Sequence, residues 1–286
     1  MSALTHKIAH PARRLSPVVF ASPHSGRAYP QSFLRRARLC DAEIRSSEDI
    51  YVDLLVDRVP DFGAPLIRAG VPRAYVDMNR AAEELDPALV HGVRSRGFNA
   101  RISSGLGVIP RVVAGGRPIY DGKIPMAEAQ RRIALFWRPY HAALSGLLRE
   151  SAALFGEAIL LDIHSMPPEA LDSVTRMPRP EIVLGDRYGA SAASTVTDRV
   201  EAAFADAGFK VARNTPFAGA YITQTYGRPA RGVHCVQIEI DRTLYLEKPG
   251  ALEQGPKFHA FRERLLPVMA ELAQIGAGAA RSLAAE

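Results

Sequence analysis

The chain has 286 residues, 47% of them hydrophobic, with a formal charge of +6 and only two cysteines, Cys40 and Cys235. That is enough apolar material for one large α/β domain; two thiols cannot build a disulfide framework or an all-thiolate zinc site, so any metal would rest on histidines and carboxylates. No run of about 18 apolar residues occurs, MSALTHKIAHPARRLSP lacks a secretory apolar core, and the arginines are scattered, which argues against membrane and nucleic-acid partners and for a cytoplasmic protein; most of the arginines read as a solvated basic surface, and the positive bias suits a small carboxylate ligand at least as well as a nucleic acid.

Short apolar segments alternate with helical patterns, which predicts an α/β fold around a largely buried sheet. The first predicted strand is PVVFAS (17–22), followed at once by His24. SSEDIYVDLLVDRVPDFG carries Ile50, Leu54, Leu55 and Val59 at helical spacing, with serines at its start and Pro60 and Gly63 at its end. Glu48 and Asp49 open this predicted helix, where acids complement the dipole. Asp49, Asp53 and Asp57 then form an i, i+4, i+8 acidic stripe that a cation at its end would relieve. Strands follow at PLIRA (65–69) and RAYVDM (73–78). Residues 81–122 form a Gly-, Arg- and Ser-rich insert with the character of a functional loop. Residues 125–155 read as a long helix bent at Pro139, with Met126, Phe136 and Trp137 in the core. AILLDI (158–163), EIVLG (181–185), KVARN (210–214) and HCVQIEI (234–240) are further predicted strands, and 188–207 and 249–274 further helices. The expectation is a single domain over 1–286.

In open α/β sheets ligands gather at the carboxyl ends of strands. Polar residues collect there: His24, Asn79 and Arg80, Asp162 and His164, and Glu239. Two histidines and carboxylates from separate strand ends suit a zinc ion with three protein ligands and one open position. The spacing alone leaves hydrogen-bonded structural histidines as an equal reading. Asp162 either orients a ligand or is a structural acid. Strand alternation puts Gln237 on the face of Glu239 and His234 on the other, where a structural role is expected. Tyr221 and Tyr226 lie in a Gly-bounded segment that reads as a lid or an ordinary surface loop. Asp186, in GDRYG, has no role assigned by its position.

SPHSGRAYP, SSEDIYVDLL, VDMNR, DIHSMP, NTPFAGAYITQTYG and VHCVQIEIDRTLY follow one another over roughly residues 17 to 270, and in this order they resemble the N-formylglutamate amidohydrolase family, relatives of the zinc carboxypeptidases and aspartoacylases. The resemblance implies a three-layer α/β/α fold with a mixed, mostly parallel sheet, zinc-carboxypeptidase-like. It implies one zinc ion per chain and hydrolysis of N-formyl-L-glutamate to formate and L-glutamate at the end of histidine degradation. His24 and His164 resemble the histidine ligands, and the carboxylate ligand corresponds to Asp49, with Glu48 as the alternative. The chain departs here from relatives with a compact His-x-x-Glu pattern, because Arg27 stands three residues after His24. Asn79 and Arg80 resemble the pair that holds the substrate carboxylate, and Arg73 the arginine that polarises the scissile carbonyl. Glu239 resembles the glutamate that takes the proton of the attacking water, while Gln237 and Tyr221 are expected to line the substrate site. Two other functions compete: hydrolysis of another N-acyl amino acid by the same machinery, and metal-free binding of a small carboxylate, which loss of His24, His164 or Glu239 would have favoured.

Overall fold

The computed structural model describes residues 5–94, 97–172, 179–248 and 250–277. Seven strands form one sheet: β1 (His6–Ala9), β2 (Val18–Ser22), β3 (Leu66–Ala69), β6 (Ala158–Met166), β7 (Ile182–Gly185), β8 (Val211–Arg213) and β9 (Val233–Asp241). Their order is β1-β3-β2-β6-β9-β7-β8, and β4 (Val112–Val113) with β5 (Arg117–Pro118) makes a separate short antiparallel pair. The sheet is mixed: β2, β6 and β9 run parallel, β7 runs antiparallel to β9, and β8 is parallel to β7. The fold divides into two compact units, residues 1–7, 23–48 and 68–143 in the first and residues 8–22, 49–67 and 144–286 in the second.

In the second unit every residue of β6 is buried, and β9 is buried from His234 onward, as expected of central parallel strands covered on both faces. Ile159, Leu161 and Ile163 of β6 and Val236, Ile238 and Ile240 of β9 face a core shared with Val200 and Phe204 of the helix Ser194–Asp206 and with Phe258, Phe261 and Leu265 of the helix Pro256–Leu272. Each fully buried side chain of this size contributes about 1.5–3 kcal/mol. The helix Tyr221–Tyr226 also packs on β6 and β9. No helix among the described residues is long and apolar enough to cross a membrane.

Several expected elements take a different form. RAYVDM is not a strand: Pro72 starts a turn in which Tyr75 N and Val76 N both donate to its carbonyl, at 2.9 and 3.2 Å. Ala74, Tyr75, Val76 and Met78 are buried without joining a ladder. The helix expected after Ser46 shrinks to Val52–Leu55, because Tyr51 takes a left-handed conformation at φ 61°. Ile50, Val52, Leu55, Val56 and Val59 are all buried, so packing rather than helical propensity sets this backbone. The acidic stripe therefore does not exist as a helix face. Asp49 lies before the helix, Asp53 is buried, and Asp57 pairs with Arg262 at 2.7 Å.

The 125–155 region is helical from Met126 to Phe155, with a π turn at Ile133–Trp137. That widened turn ends just before Pro139, whose ring cannot join the ordinary ladder. Phe136 is buried while Met126 and Trp137 are only partly so. Strand β6 runs on to Met166, which places His164 within the strand rather than after it.

Candidate metal and catalytic site

The second unit assembles its polar residues through strand register. Asp162 lies opposite Gln237 and His164 opposite Glu239 on parallel β6 and β9. Neighbours in parallel register share a face, so four buried polar side chains line one strip of the sheet. His164 Nε2 lies 2.9 Å from Asp162 Oδ2, and its Nδ1 lies 3.0 Å from Asp49 Oδ2. Burial works against a charged ring here, but the carboxylates of Asp162, Asp49 and Glu239 outweigh it and hold the imidazole pKa well above its ordinary value. Gln237 Nε2 donates to Glu239 Oε1 at 2.9 Å, and Arg242 Nη2 donates to Asp49 Oδ1 at 3.1 Å.

The first unit builds a matching arrangement around His24. Gly26 allows the PHSG turn to approach the chain closely, since a Cβ there would stand 2.1 Å from Val71 O. His24 Nε2 lies 2.7 Å from Asp77 Oδ1, and both residues are buried. Asp77 also accepts from Arg73 Nη2 at 2.9 Å and from Asn79 N at 2.8 Å. Burial alone would raise the Asp77 pKa; His24, Arg73 and Arg80 hold it well below the ordinary carboxylate value.

Arg80 is buried and donates to Leu106 O at 2.9 Å and Asn79 O at 2.7 Å, which fixes the plane of its guanidinium. The helical region 126–155 steadies the same segment: His141 Nε2 donates to Met78 O and Trp137 Nε1 to Arg80 O, each at 2.9 Å. Glu48 is occupied differently from Asp49. It accepts from Tyr29 Oη and, in a two-point fork, from Arg45 at 3.1 and 3.2 Å.

These donors fit a metal ion. Each buried histidine is tied through Nε2 to a buried carboxylate, the arrangement that orients metal-bound imidazoles and makes Nδ1 the ligating nitrogen. Asp49 Oδ2 and His164 Nδ1 stand 3.0 Å apart, close to the ~3 Å separation of two ligands bound to one zinc ion. A divalent cation held by these two atoms would take the place of the hydrogen bond between them.

The sequence profile of N-formylglutamate amidohydrolase matches residues 16–246 of this chain. The chain belongs to the N-formylglutamate amidohydrolase family.

Named members of the family are similar along most of their length. An N-formylglutamate deformylase of Pseudomonas aeruginosa is 30% identical over 246 residues, 84% of this chain and 84% of the relative. That of Pseudomonas putida is 29% identical over 238 residues, 81% and 82% of the two chains. The crystal structure of N-formylglutamate amidohydrolase from Ralstonia eutropha JMP134 superposes with a TM-score of 0.87 at 35% identity, covering 97% of this chain and 99% of that one. As a member of the N-formylglutamate amidohydrolase family, the protein is a hydrolase acting on an amide.

The remaining residues singled out in the sequence fall in less direct places. His234 lies opposite Ile159 and accepts from Ala193 N at 3.2 Å. Asp186 accepts from Asn214 Nδ2 at 2.8 Å and Thr197 Oγ1 at 3.1 Å. Because β7 is antiparallel to β9, with Val183 opposite Glu239 and Gly185 opposite Gln237, the chain leaves β7 heading away from Glu239. Tyr221 opens a helix, not a loop, and is half-buried, as is Tyr226. Sequence reasoning passed over Asp77 and Arg242. Both stand inside quoted motifs, VDMNR and IEIDR, as the charged residues to which no task had been given.

Proposed function

We propose that this chain hydrolyses the formyl amide of N-formyl-L-glutamate to formate and L-glutamate, as the names of its relatives suggest, with one zinc ion held by His24, Asp49 and His164. The observation that carries the metal assignment is the repeated pattern of a buried histidine tied through Nε2 to a buried aspartate, Asp77 in one unit and Asp162 in the other. Asp49 is preferred over Glu48 because the Glu48 carboxylate is engaged by Tyr29 and Arg45. A single catalytic domain over residues 1–286 belongs to the same proposal, as do the chain's cytoplasmic placement, the small N-acyl amino acid substrate and the absence of nucleic-acid and membrane partners.

When bound, zinc supplies a Lewis acid that polarises the amide carbonyl and makes water nucleophilic near neutral pH. The protein's own groups do the rest. Glu239, steadied by Gln237, accepts the proton of the attacking water and returns it to the departing amine. Arg73, fixed by Asp77, donates to the oxygen on which negative charge develops, a contribution of about 3 to 4 kcal/mol for a single donor. Asn79 and Arg80 hold the α-carboxylate, so binding energy becomes orientation at the formyl carbon. Tyr221 lines the substrate side.

Steady-state assay of the metal-loaded protein against N-formyl and N-acetyl derivatives of glutamate, aspartate, glutamine and leucine tests the substrate. N-formylglutamate should give the highest kcat/KM. A higher value for an acetyl compound, or for an uncharged side chain, would replace the substrate while keeping the chemistry.

A further inference from the structure

We infer that Arg242 is a positioning residue that holds one oxygen of Asp49 and so keeps this aspartate a one-oxygen ligand. The inference rests on the zinc reading above, and concerns the geometry of that ligand rather than its identity.

Asp49 is buried, and its two oxygens have separate partners: Oδ2 stands 3.0 Å from His164 Nδ1, whereas Oδ1 accepts from Arg242 Nη2 at 3.1 Å. The guanidinium is itself anchored. Its Nε donates to Ser165 Oγ at 3.0 Å and its Nη2 also reaches Ser165 O at 3.3 Å. Ser165 directly follows His164 in β6, and Arg242 follows the last residue of β9, three positions after Glu239. One strand end thus supplies a ligand and the anchor of the clamp, and its neighbour supplies the base and the clamp. Asp241 caps the turn that carries Arg242, accepting from Thr243 N at 2.8 Å.

The chemistry gives this clamp a purpose. A carboxylate can bind a cation through one oxygen or both, and a catalytic zinc site needs a position kept open beside three protein ligands. If Asp49 swung both oxygens onto the ion, that position would be filled. A planar guanidinium, anchored at Ser165 and donating to Oδ1, opposes that rotation. A lysine has no second arm with which to span Ser165 and Asp49. The positive charge of Arg242 repels a nearby cation, so the clamp should favour geometry at some expense of affinity.

The test uses the full chain loaded with cobalt(II), whose visible absorption reports coordination number independently of turnover. The parent is expected to bind about one cobalt ion with the intense bands of four-coordination. Arg242→Met should retain the ion at equal or higher affinity by chelator competition, yet show weaker, five-coordinate bands and a kcat lowered about 10- to 100-fold. Arg242→Lys should not restore the parent spectrum. Ser165→Ala, a gentler change that removes one anchor, should shift the spectrum in the same direction by a smaller amount, and it keeps the test alive should Arg242→Met fail to fold. A parent-like spectrum in the variants with cobalt bound would overturn the inference while leaving the zinc reading intact, as would recovery of the parent spectrum by lysine or loss of the ion from a folded Arg242→Met. A parent that binds no cobalt would instead remove the zinc reading, and the inference with it.

Discussion

His141 should make the protein measurably less stable as the pH falls from 7 towards 4, and the size of the effect follows from its surroundings. The residue is 7% exposed, donates from its ring to Met78 O and lies against Trp137 with ring centroids 4.0 Å apart and planes tilted by 38°. Burial lowers its pKa from 6.5 to about 4, with the Met78 carbonyl opposing in part. The folded state therefore binds a proton less readily than the unfolded chain. Stability from this group is fully present above the unfolded value of 6.5 and is lost as the pH falls through the window down to about 4. At about 1.36 kcal/mol per pH unit the full loss is about 3 kcal/mol, of which about 2 is reached by about pH 5. Urea unfolding of the parent and of His141→Gln, at several pH values between about 4 and 8, isolates the contribution. The variant keeps a donor for Met78 O but cannot titrate, so its stability should fall less steeply with acid. Parallel stability curves for the two proteins would refute the reasoning.

The remaining expectations concern the site and its scaffold. Glu239→Gln should keep its metal and bind substrate while kcat falls by about 10² to 10⁴; an unchanged kcat would move the base elsewhere. Asp49→Ala should lose metal, whereas Glu48→Ala should keep it and lose about 1–3 kcal/mol of stability as Tyr29 and Arg45 lose their acceptor; metal analysis giving the opposite pattern would transfer the ligand role. Asp77→Ala and Asp162→Ala should each weaken metal binding by about 10- to 100-fold, and chelator competition showing parent affinity in both would deny them the task of holding the imidazoles. Gly26→Ala should be strongly destabilised in a thermal melt, because its Cβ would meet Val71 O at 2.1 Å; a melting point equal to the parent's would contradict that close approach.

The parts of this molecule that could be read from the sequence are those where local pattern and tertiary packing agree. The apolar residues of β6 and β9 need burial, and the alternation of polar with apolar residues in β9 gave the shared face of Gln237 and Glu239 directly. RAYVDM misled because its apolar residues are buried in a turn opened by Pro72, so alternation was present without a ladder. The segment after Ser46 misled for the opposite reason: its helical spacing is real, but Tyr51 turns left-handed and packing on several sides overrides propensity. Asp77 and Arg242 stayed silent because an acid or arginine near a strand end has many uses. Only the partners across the chain, His24 for one and Asp49 for the other, show which use applies.

The carboxylate behind each histidine has a thermodynamic consequence for how metal is acquired. His24 and His164 are each hydrogen-bonded to a carboxylate of their own unit, Asp77 and Asp162. The rotamer entropy of two imidazoles, about 0.5–1.5 kcal/mol for each immobilised side chain, is therefore lost when the chain folds and is not charged again when metal arrives. Capture should then be fast, with little rearrangement of the protein. Because a metal bound by the folded chain adds its binding free energy to stability, stripping it should lower the melting temperature while leaving the secondary structure in place.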